Sequence, residues 1–364
     1  MVQMINAQTS LPEARAKLAE RFDLRFTRTV QTATEPVYER IRTRIPEAEW
    51  PFYAPLIFEI NRQKRITDTV ILAHHYQVPQ IVHGVADLVG DSVQLGVDAG
   101  RSKLSQALVC GLHHMAETVK LLNGGKRVLI PDSRATSQAA RSMTATDVLA
   151  IKAQHPGLPV IAYASSTAAV KAVSDICCTA SNAASVVDAL HSDTVIMVPD
   201  QFIAQNTAAV TRKKIITWAG ASEVHGEMTL ARLHDLRRLY PDAKIVAHLE
   251  CPPEVVQAAD FSGSNGDLIH WIRSEKPRQV VLVAEGSLAD NLSSAVPEVD
   301  PIRGLGFCQQ MKRITLETIL WALHTGQQEI DIAPAIAEPA ERALRRMLHF
   351  ARDGALPPPI PVLA

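Results

Sequence analysis

The chain has 364 residues, of which 47% are hydrophobic and 21% are charged, a balance typical of folded globular proteins and not of disordered ones. Its 37 Lys and Arg residues nearly equal its 38 Asp and Glu residues, and the formal net charge of -1 argues against nucleic acid or a membrane surface as a partner. No apolar stretch approaches the roughly 18 residues of a membrane span, and five cysteines do not make a disulfide framework. We therefore expect a soluble cytoplasmic protein.

Residues 1–51 contain no strand pattern and predict a helical N-terminal extension. Beyond them, three apolar runs end in polar residues, and their spacing of about 85–90 residues indicates an internal repeat. The runs are residues 70–73 before His74 and Tyr76, residues 160–162 before Tyr163, and residues 245–247 before His248. About 16–18 residues after each run comes a small polar turn, at residues 90–92, 179–182 and 263–265.

Further strand-like runs at residues 128–130, 195–198 and 280–283 alternate with helical patterns, and residues 338–352 predict a closing amphipathic helix. This alternation predicts an α/β fold of three αβα units, each with a small parallel sheet. The units would be residues 52–140 plus 308–364, residues 141–224 and residues 225–307. Because ligands bind at the carboxyl ends of parallel strands, three units facing one another would share a central active site. The alternative is one large α/β domain.

From about residue 52 the sequence resembles the quinolinate synthase family in seven segments. They are residues 72–77, 90–92, 110–118, 170–179, 224–225, 248–252 and 308–317. The resemblance implies three αβα units related by a pseudo-threefold axis, in agreement with the repeat. It also implies an enzyme that condenses iminoaspartate with dihydroxyacetone phosphate, with loss of water and phosphate, to build the pyridine ring of NAD.

The resemblance further implies a [4Fe-4S] cluster held by one cysteine from each unit. At the matching positions this chain has Ser137, Ser222 and Cys308. A serine hydroxyl is a poor substitute for a thiolate, so we predict that no conventional cluster forms. Zinc at His225, His248, Cys251 and Cys308 is an alternative, although the family carries His and Cys at these positions in any case.

Candidate catalytic residues lie at the predicted strand ends. The family uses the pair that matches His74 and Tyr76 near the triose phosphate, and such a pair can move a proton between carbon and oxygen. Tyr163, His225, His248 and Glu250 complete the predicted catalytic set, with Glu250 placed to orient His248 if the strand continues that far. A buried structural histidine is the alternative interpretation of His74.

Candidate substrate-binding residues are Ser92, Ser165, Ser181, Ser264 and Asn265. Ser92 follows a Gly-Asp turn before a helix, where backbone N–H groups can bind phosphate. Residues that would hold the iminoaspartate carboxylates differ from the family: Ser165 replaces Asn, Ala180 replaces Ser and Asn265 replaces Thr. Each lost donor should discriminate against that carboxylate by about 1–3 kcal/mol.

These observations predict a quinolinate synthase-like enzyme that joins a triose phosphate to an amine or imine and builds a pyridine-type ring without a [4Fe-4S] cluster. An authentic quinolinate synthase and a non-catalytic paralogue that binds a phosphorylated ligand are the alternatives. The expected partners are small molecules, and neither nucleic acid nor a membrane is expected. The sequence leaves the amine substrate and the oligomeric state open.

Overall fold

The computed structural model of the chain describes residues 11–353. In this range the α-helices are α1 (Leu11–Ala19), α2 (Arg28–Ile41), α3 (Trp50–Ile66), α4 (Pro79–Val82), α5 (Ser92–Arg101), α6 (His113–Leu122), α7 (Gln138–Arg141), α8 (Ala145–Gln154), α9 (Ala168–Ala172), α10 (Ala183–Ala189), α11 (Gln201–Ala208), α12 (Leu230–Leu239), α13 (Pro253–Ala258), α14 (Asn265–Glu275), α15 (Gly286–Ala295), α16 (Leu316–Thr325) and α17 (Pro334–Asp353). Short 3₁₀ helices lie at Glu47–Glu49, His225–Glu227 and Met311–Arg313.

The strands form three four-stranded sheets. The first contains β1 (Thr69–His74), β2 (Leu88–Gly90), β3 (Gln106–Cys110) and β4 (Arg127–Leu129), in the order β2-β1-β3-β4. The second contains β5 (Val160–Tyr163), β6 (Ile176–Cys178), β7 (Thr194–Val198) and β8 (Lys214–Thr217), in the order β6-β5-β7-β8. The third contains β9 (Lys244–His248), β10 (Phe261–Gly263), β11 (Gln279–Val283) and β12 (Asp300–Arg303), in the order β10-β9-β11-β12.

The first strand of each sheet is an inner strand, paired in parallel on both sides. Strand β1 pairs with β2 and β3, β5 with β6 and β7, and β9 with β10 and β11. These three strands are buried along nearly their whole length, which explains why they read as continuous apolar runs. The α/β class with three helix-flanked parallel sheets is therefore confirmed.

The sheet orders correct one detail of the predicted repeat. The sequence pairs residues 128–130 with 195–198 and 280–283, but the corresponding strand β4 is the fourth of its sheet, whereas β7 and β11 are third strands. The third strand of the first sheet is β3, which begins with the polar Gln106 and ends at Cys110. Apolar content alone does not reveal which strand a run pairs with, so the match of β4 to the other two was wrong.

A tight turn follows the first strand of each sheet and repeats the same backbone hydrogen bond. The carbonyl of His74 accepts the N–H of Gln77 at 3.0 Å, that of Tyr163 accepts the N–H of Ser166 at 2.9 Å, and that of His248 accepts the N–H of Cys251 at 3.0 Å. The chain therefore leaves each strand in the same way, and five of the six predicted catalytic residues, all except His225, lie in or beside these turns.

Contacts divide the described chain into two compact units, one of residues 11–135 with 285–331 and one of residues 136–284 with 332–353. In the first unit, α3 packs against α2 and α16. In the second, the closing helix α17 packs against α9 and β6, and Arg346 donates a hydrogen bond to the carbonyl of Asp175 at 3.1 Å. The boundaries of the N-terminal extension and of the three predicted units stay predictions, and residues 1–10 and 354–364 lie outside the described range. No helix within residues 11–353 is long and apolar enough to cross a membrane.

Candidate active site

Four of the predicted catalytic residues lie together in the second unit. Tyr163 ends β5, His248 ends β9, and Glu250 lies in the turn after β9. The Tyr163 hydroxyl donates to Oε1 of Glu250 at 2.7 Å, and Nδ1 of His225 lies 3.1 Å from Oε2. The rings of His225 and His248 have centroids 4.8 Å apart. The carboxyl ends of β5 and β9, together with the 3₁₀ helix that begins at His225, therefore bring these four side chains into one cluster.

The hydrogen bonds give the two histidines opposite tautomers. Because the Glu250 carboxylate only accepts, the Nδ1 of His225 that faces it carries the proton, and the lone pair of the neutral ring is on Nε2. The Nδ1 of His248 instead accepts the backbone N–H of Glu250 at 3.1 Å, so its neutral ring carries the proton on Nε2. One ring is thus arranged as a base and the other as a hydrogen-bond donor. The strand does not continue to Glu250, and its carboxylate orients His225, whereas its backbone orients His248.

The same contacts determine the charge of Glu250. Burial acts to raise the pKa of this carboxyl, but the hydrogen bond and charge of His225, the charge of His248 and the hydrogen bond from Tyr163 outweigh burial and bring the pKa below its usual range. Glu250 is therefore an anion at neutral pH. An anion at this position can hold a hydroxyl proton donor and a protonated imidazole at the same time.

A second carboxyl, that of Asp200, lies behind this cluster and was not among the predicted site residues. Its Oδ1 caps α11 by accepting the backbone N–H groups of Phe202 and Ile203, each at 3.0 Å, and its Oδ2 accepts the N–H of Ser222 at 3.2 Å. Burial and the nearby charge of Glu250 raise the pKa of Asp200 to about 7. The pair Pro199-Asp200 directly after the strand-like residues 195–198 is visible in the sequence, but only the structure shows that Asp200 contacts Ser222.

In the first unit, His74 and Tyr76 lie together as the sequence predicts. The backbone N–H of Tyr76 donates to Nδ1 of His74 at 3.2 Å, and the two rings meet edge to face with centroids 4.6 Å apart. The Nε2 of His74 lies 3.3 Å from Oδ1 of Asp91, so Asp91, which was not among the predicted site residues, orients this ring. Ser92 is the buried first residue of α5, at the end of the helix where backbone N–H groups point outward.

Cys308 lies in a loop that buried polar groups hold in place. Its backbone N–H donates to Oε1 of Glu285 at 3.0 Å, and Nζ of Lys312 lies 2.9 Å from the same oxygen. The Lys312 ammonium also donates to the carbonyl of Tyr76 at 2.8 Å and to the hydroxyl of Ser287 at 2.6 Å. Glu285 and Lys312 therefore connect the loop of Cys308 to the turn of Tyr76, and neither was predicted as a site residue.

The remaining predicted binding residues differ in how their side chains are used. Ser264 caps α14 and donates its hydroxyl to Asp267 at 2.7 Å, in a reciprocal capping box. Asn265 is the buried first residue of that helix, and Ser181 is exposed. The hydroxyl of Ser165 is buried and has no hydrogen-bond partner within residues 11–353. Of these side chains, Ser165 has the polar atom best placed to bind a ligand, because a buried hydroxyl needs a partner.

Comparison with known proteins identifies the family. The sequence matches the family described as NadA, quinolinate synthetase A protein, over residues 58–349. It is 46% identical to the quinolinate synthase of Sinorhizobium medicae over 337 residues, which are 93% of this chain and 94% of that protein. The chain belongs to the quinolinate synthase family. The quinolinate synthase of Caulobacter vibrioides is 43% identical over 92% of this chain and 90% of its own length, and that of Xylella fastidiosa is 45% identical over 80% and 85%.

The side chains at the three cluster positions of the family do not fit a [4Fe-4S] cluster. Ser137 caps α7, its hydroxyl accepting the N–H of Ala140 at 3.1 Å, and the Ser222 hydroxyl lies 2.8 Å from Nδ1 of His225. Only Cys308 offers a thiol, and thiolates are the ligands that such clusters use. The other four cysteines are buried free thiols: burial raises the pKa of Cys177 to about 12 and also raises the pKa of Cys110, Cys178 and Cys251.

One ligand atom from each of His225, His248 and Glu250 lies within 4.8 Å of the other two, so the cluster could hold a single metal ion. The hydrogen bonds already use both Nδ1 atoms and both carboxylate oxygens. With Nδ1 of His248 accepting from the backbone, the proton on Nε2 would have to leave before that ring could bind a metal. These contacts favour proton transfer over metal ligation.

Proposed function

We propose that this chain catalyses the quinolinate synthase reaction, in which iminoaspartate and dihydroxyacetone phosphate condense to a pyridine dicarboxylate with loss of water and inorganic phosphate. The observation that carries the proposal is Glu250, whose backbone and carboxylate set His248 and His225 in opposite tautomers and hold the Tyr163 hydroxyl. The relatives named quinolinate synthase favour iminoaspartate over a different amine as the second substrate.

The second-unit cluster supplies the proton transfers that a condensation followed by dehydration requires. Neutral His225, with its lone pair on Nε2, can remove a proton, and the Glu250 carboxylate then stabilises the imidazolium. Neutral His248, with its proton on Nε2, can hold a leaving hydroxyl by a hydrogen bond, and the His225 imidazolium formed in the first step can return its proton to that hydroxyl as it leaves. Because the donor set does not fit a cluster, we assign dehydration to these acids and to the conjugation of an imine or enamine intermediate.

For the triose phosphate we propose roles for the first-unit residues. His74, oriented by the Tyr76 backbone and by Asp91, would move protons between the carbon and oxygen atoms of the triose. Ser92 would help to bind the phosphate, because it opens a ten-residue helix whose first N–H groups can receive an anion.

The test measures release of inorganic phosphate and formation of an aromatic product of quinolinate mass. Dihydroxyacetone phosphate is supplied with iminoaspartate generated from oxaloacetate and ammonium. We expect turnover that requires both substrates, and Glu250→Gln should lower it by about a hundredfold. Glu254→Gln is the matched control, since Glu254 is exposed on α13 and should tolerate the same change. Absence of turnover with tight binding of dihydroxyacetone phosphate would instead support a non-catalytic paralogue.

A second candidate is the same condensation with a different imine, and the carboxylate-binding positions favour it. Ser165, Ala180 and Asn265 stand where the family resemblance implies other side chains, and the Ser165 hydroxyl has no protein partner in the described range. Faster phosphate release with an imine made from pyruvate and ammonium, which lacks the second carboxylate, would favour this candidate. Faster release with iminoaspartate would exclude it.

A further inference from the structure

The hydroxyl of Ser222 contacts the buried ring of His225. The Oγ atom lies 2.8 Å from Nδ1, and His225 is only 1% exposed. Since Nδ1 carries a proton that also faces Glu250 at 3.1 Å, the Ser222 hydroxyl is a second acceptor for the same N–H. Two acceptors for one N–H restrict the orientation of the ring more than one acceptor does.

The main chain of Ser222 is itself fixed. Its N–H donates to Oδ2 of Asp200 at 3.2 Å, and its carbonyl accepts the N–H of Gly226 at 3.0 Å. Asp200 also caps α11, so the backbone of Ser222 is held against the buried start of this helix. The hydroxyl is therefore a rigid contact for the ring.

Ser137, the other serine at a family cluster position, has a different environment. Its hydroxyl accepts a backbone N–H only three residues further on, as an ordinary N-cap does. The two serines are thus not equivalent: one completes a helix end, and the other contacts a proposed catalytic ring.

We propose that Ser222 is a positioning residue that fixes the orientation of the His225 ring, whose tautomer Glu250 sets. A hydroxyl suits this role because it is a good acceptor with a short reach, whereas a thiol is a weak hydrogen-bonding group. Cysteine at this position would lose the contact. The serine therefore contributes to the acid–base cluster. The catalytic consequence rests on the proposed function, while the effect on the ring does not.

The experiment compares Ser222→Ala, Ser222→Thr and Ser222→Cys with the control Ser137→Ala in the full-length protein. One readout is the ¹⁵N chemical shifts of the His225 ring, assigned with His225→Gln. Wild type should show the ring protonated on Nδ1, and Ser222→Ala should keep this tautomer, because Glu250 remains, but should show a shifted and broadened Nδ1 resonance as the ring loses one acceptor. The second readout is kinetic: Ser222→Ala and Ser222→Cys should lower kcat by about tenfold with KM within about twofold, because the ring is less well oriented. Ser222→Thr should keep about a third or more of the rate, and Ser137→Ala should keep all of it.

Unchanged ring shifts and unchanged kcat in Ser222→Ala would overturn the proposal. If Ser222→Ala does not fold, Ser222→Thr and Ser222→Cys test the proposal instead. Equal rates and equal ring shifts in these two variants would contradict a role for the hydroxyl. If wild type shows no turnover, the proposed function fails, and the ring shifts alone then decide whether Ser222 orients the His225 ring.

Discussion

The ammonium of Lys64 lies 2.7 Å from Oδ1 of Asp87, and the other carboxylate oxygen accepts the backbone N–H of Ile71 in β1 at 2.9 Å. A similar relationship occurs in the other two sheets, where one carboxylate oxygen, Oδ2, contacts both partners. The basic residue is always 23 positions before the aspartate. Lys152 pairs with Asp175, which accepts from Val160 at 2.7 Å, and Arg237 pairs with Asp260, which accepts from Ile245 at 2.7 Å.

Each aspartate is bound to the first strand twice. Its side chain accepts the N–H of a strand residue, and its own N–H donates to the carbonyl of that same residue, at 2.8 to 2.9 Å in all three sheets. The carboxylate therefore connects the preceding basic residue, the first strand and the start of the second strand. This connection fixes the strand that ends in His74, Tyr163 or His248.

Asp175→Ala should lower the free energy of unfolding by about 1–3 kcal/mol, because the N–H of Val160 in a buried strand loses its side-chain partner. Urea unfolding followed by circular dichroism measures the change. Asp235→Ala is the control, since its ion pair with Arg238 is exposed and should contribute within about 0.5 kcal/mol. Equal losses in the two variants would contradict the role assigned to Asp175.

The 23-residue spacing between a basic residue and an aspartate was present in the sequence. Charged residues at a surface are usually solvated, however, so the apolar runs were the stronger indication of where the strands lie. Those runs correctly placed β1, β5 and β9 because inner parallel strands are buried on both faces. The short strand β3 begins with Gln106 and was missed.

Tyr163, His225, His248 and Glu250 were selected from the sequence, and the structure brings them into one cluster, but the sequence did not show how they interact. Tyr163 and Glu250 are 87 residues apart, and their contact depends on the backbone geometry of the turns that follow β5 and β9. Amino-acid composition does not define this geometry. Asp91 and Asp200 were overlooked for a related reason. Each lies at a strand or helix end where an aspartate is ordinary, and only tertiary contacts connect it to His74 or Ser222.

The raised pKa of Asp200 predicts a pH dependence of stability. Burial and the charge of Glu250 raise this pKa to about 7 from an ordinary value of 3.8, so between these pH values the folded chain holds a proton that the unfolded chain has released. The contribution of Asp200 to the free energy of unfolding therefore falls as pH rises from about 4 to about 7. Between pH 5 and 7.5, wild type should lose at least about 1 kcal/mol relative to Asp200→Asn, which has no proton to release. Parallel pH profiles from urea unfolding would contradict the shift.

His248→Ala should lower turnover by about a hundredfold or more, because the neutral ring that carries a proton on Nε2 is lost while the backbone turn remains. His74→Ala should have a similar effect through the triose phosphate. His234→Ala on α12 is a suitable control, since His234 is an exposed histidine. Steady-state kinetics measures the three variants, and circular dichroism checks their folds. Near wild-type turnover in His248→Ala would exclude it from proton transfer.

The last prediction concerns iron. With Ser137 and Ser222 at two of the three cluster positions, the protein should contain no stoichiometric [4Fe-4S] cluster even when it is purified and reconstituted without oxygen. Iron and sulfide analysis and the visible absorption spectrum measure this, and four irons with four sulfides per chain would contradict it. The double variant Ser137→Cys, Ser222→Cys is the informative control. If only the ligands prevent assembly, this variant should become brown after reconstitution. The thiol introduced at position 222 would no longer accept the Nδ1 proton of His225, so cluster assembly and the hydrogen bond that now fixes this ring should exclude each other.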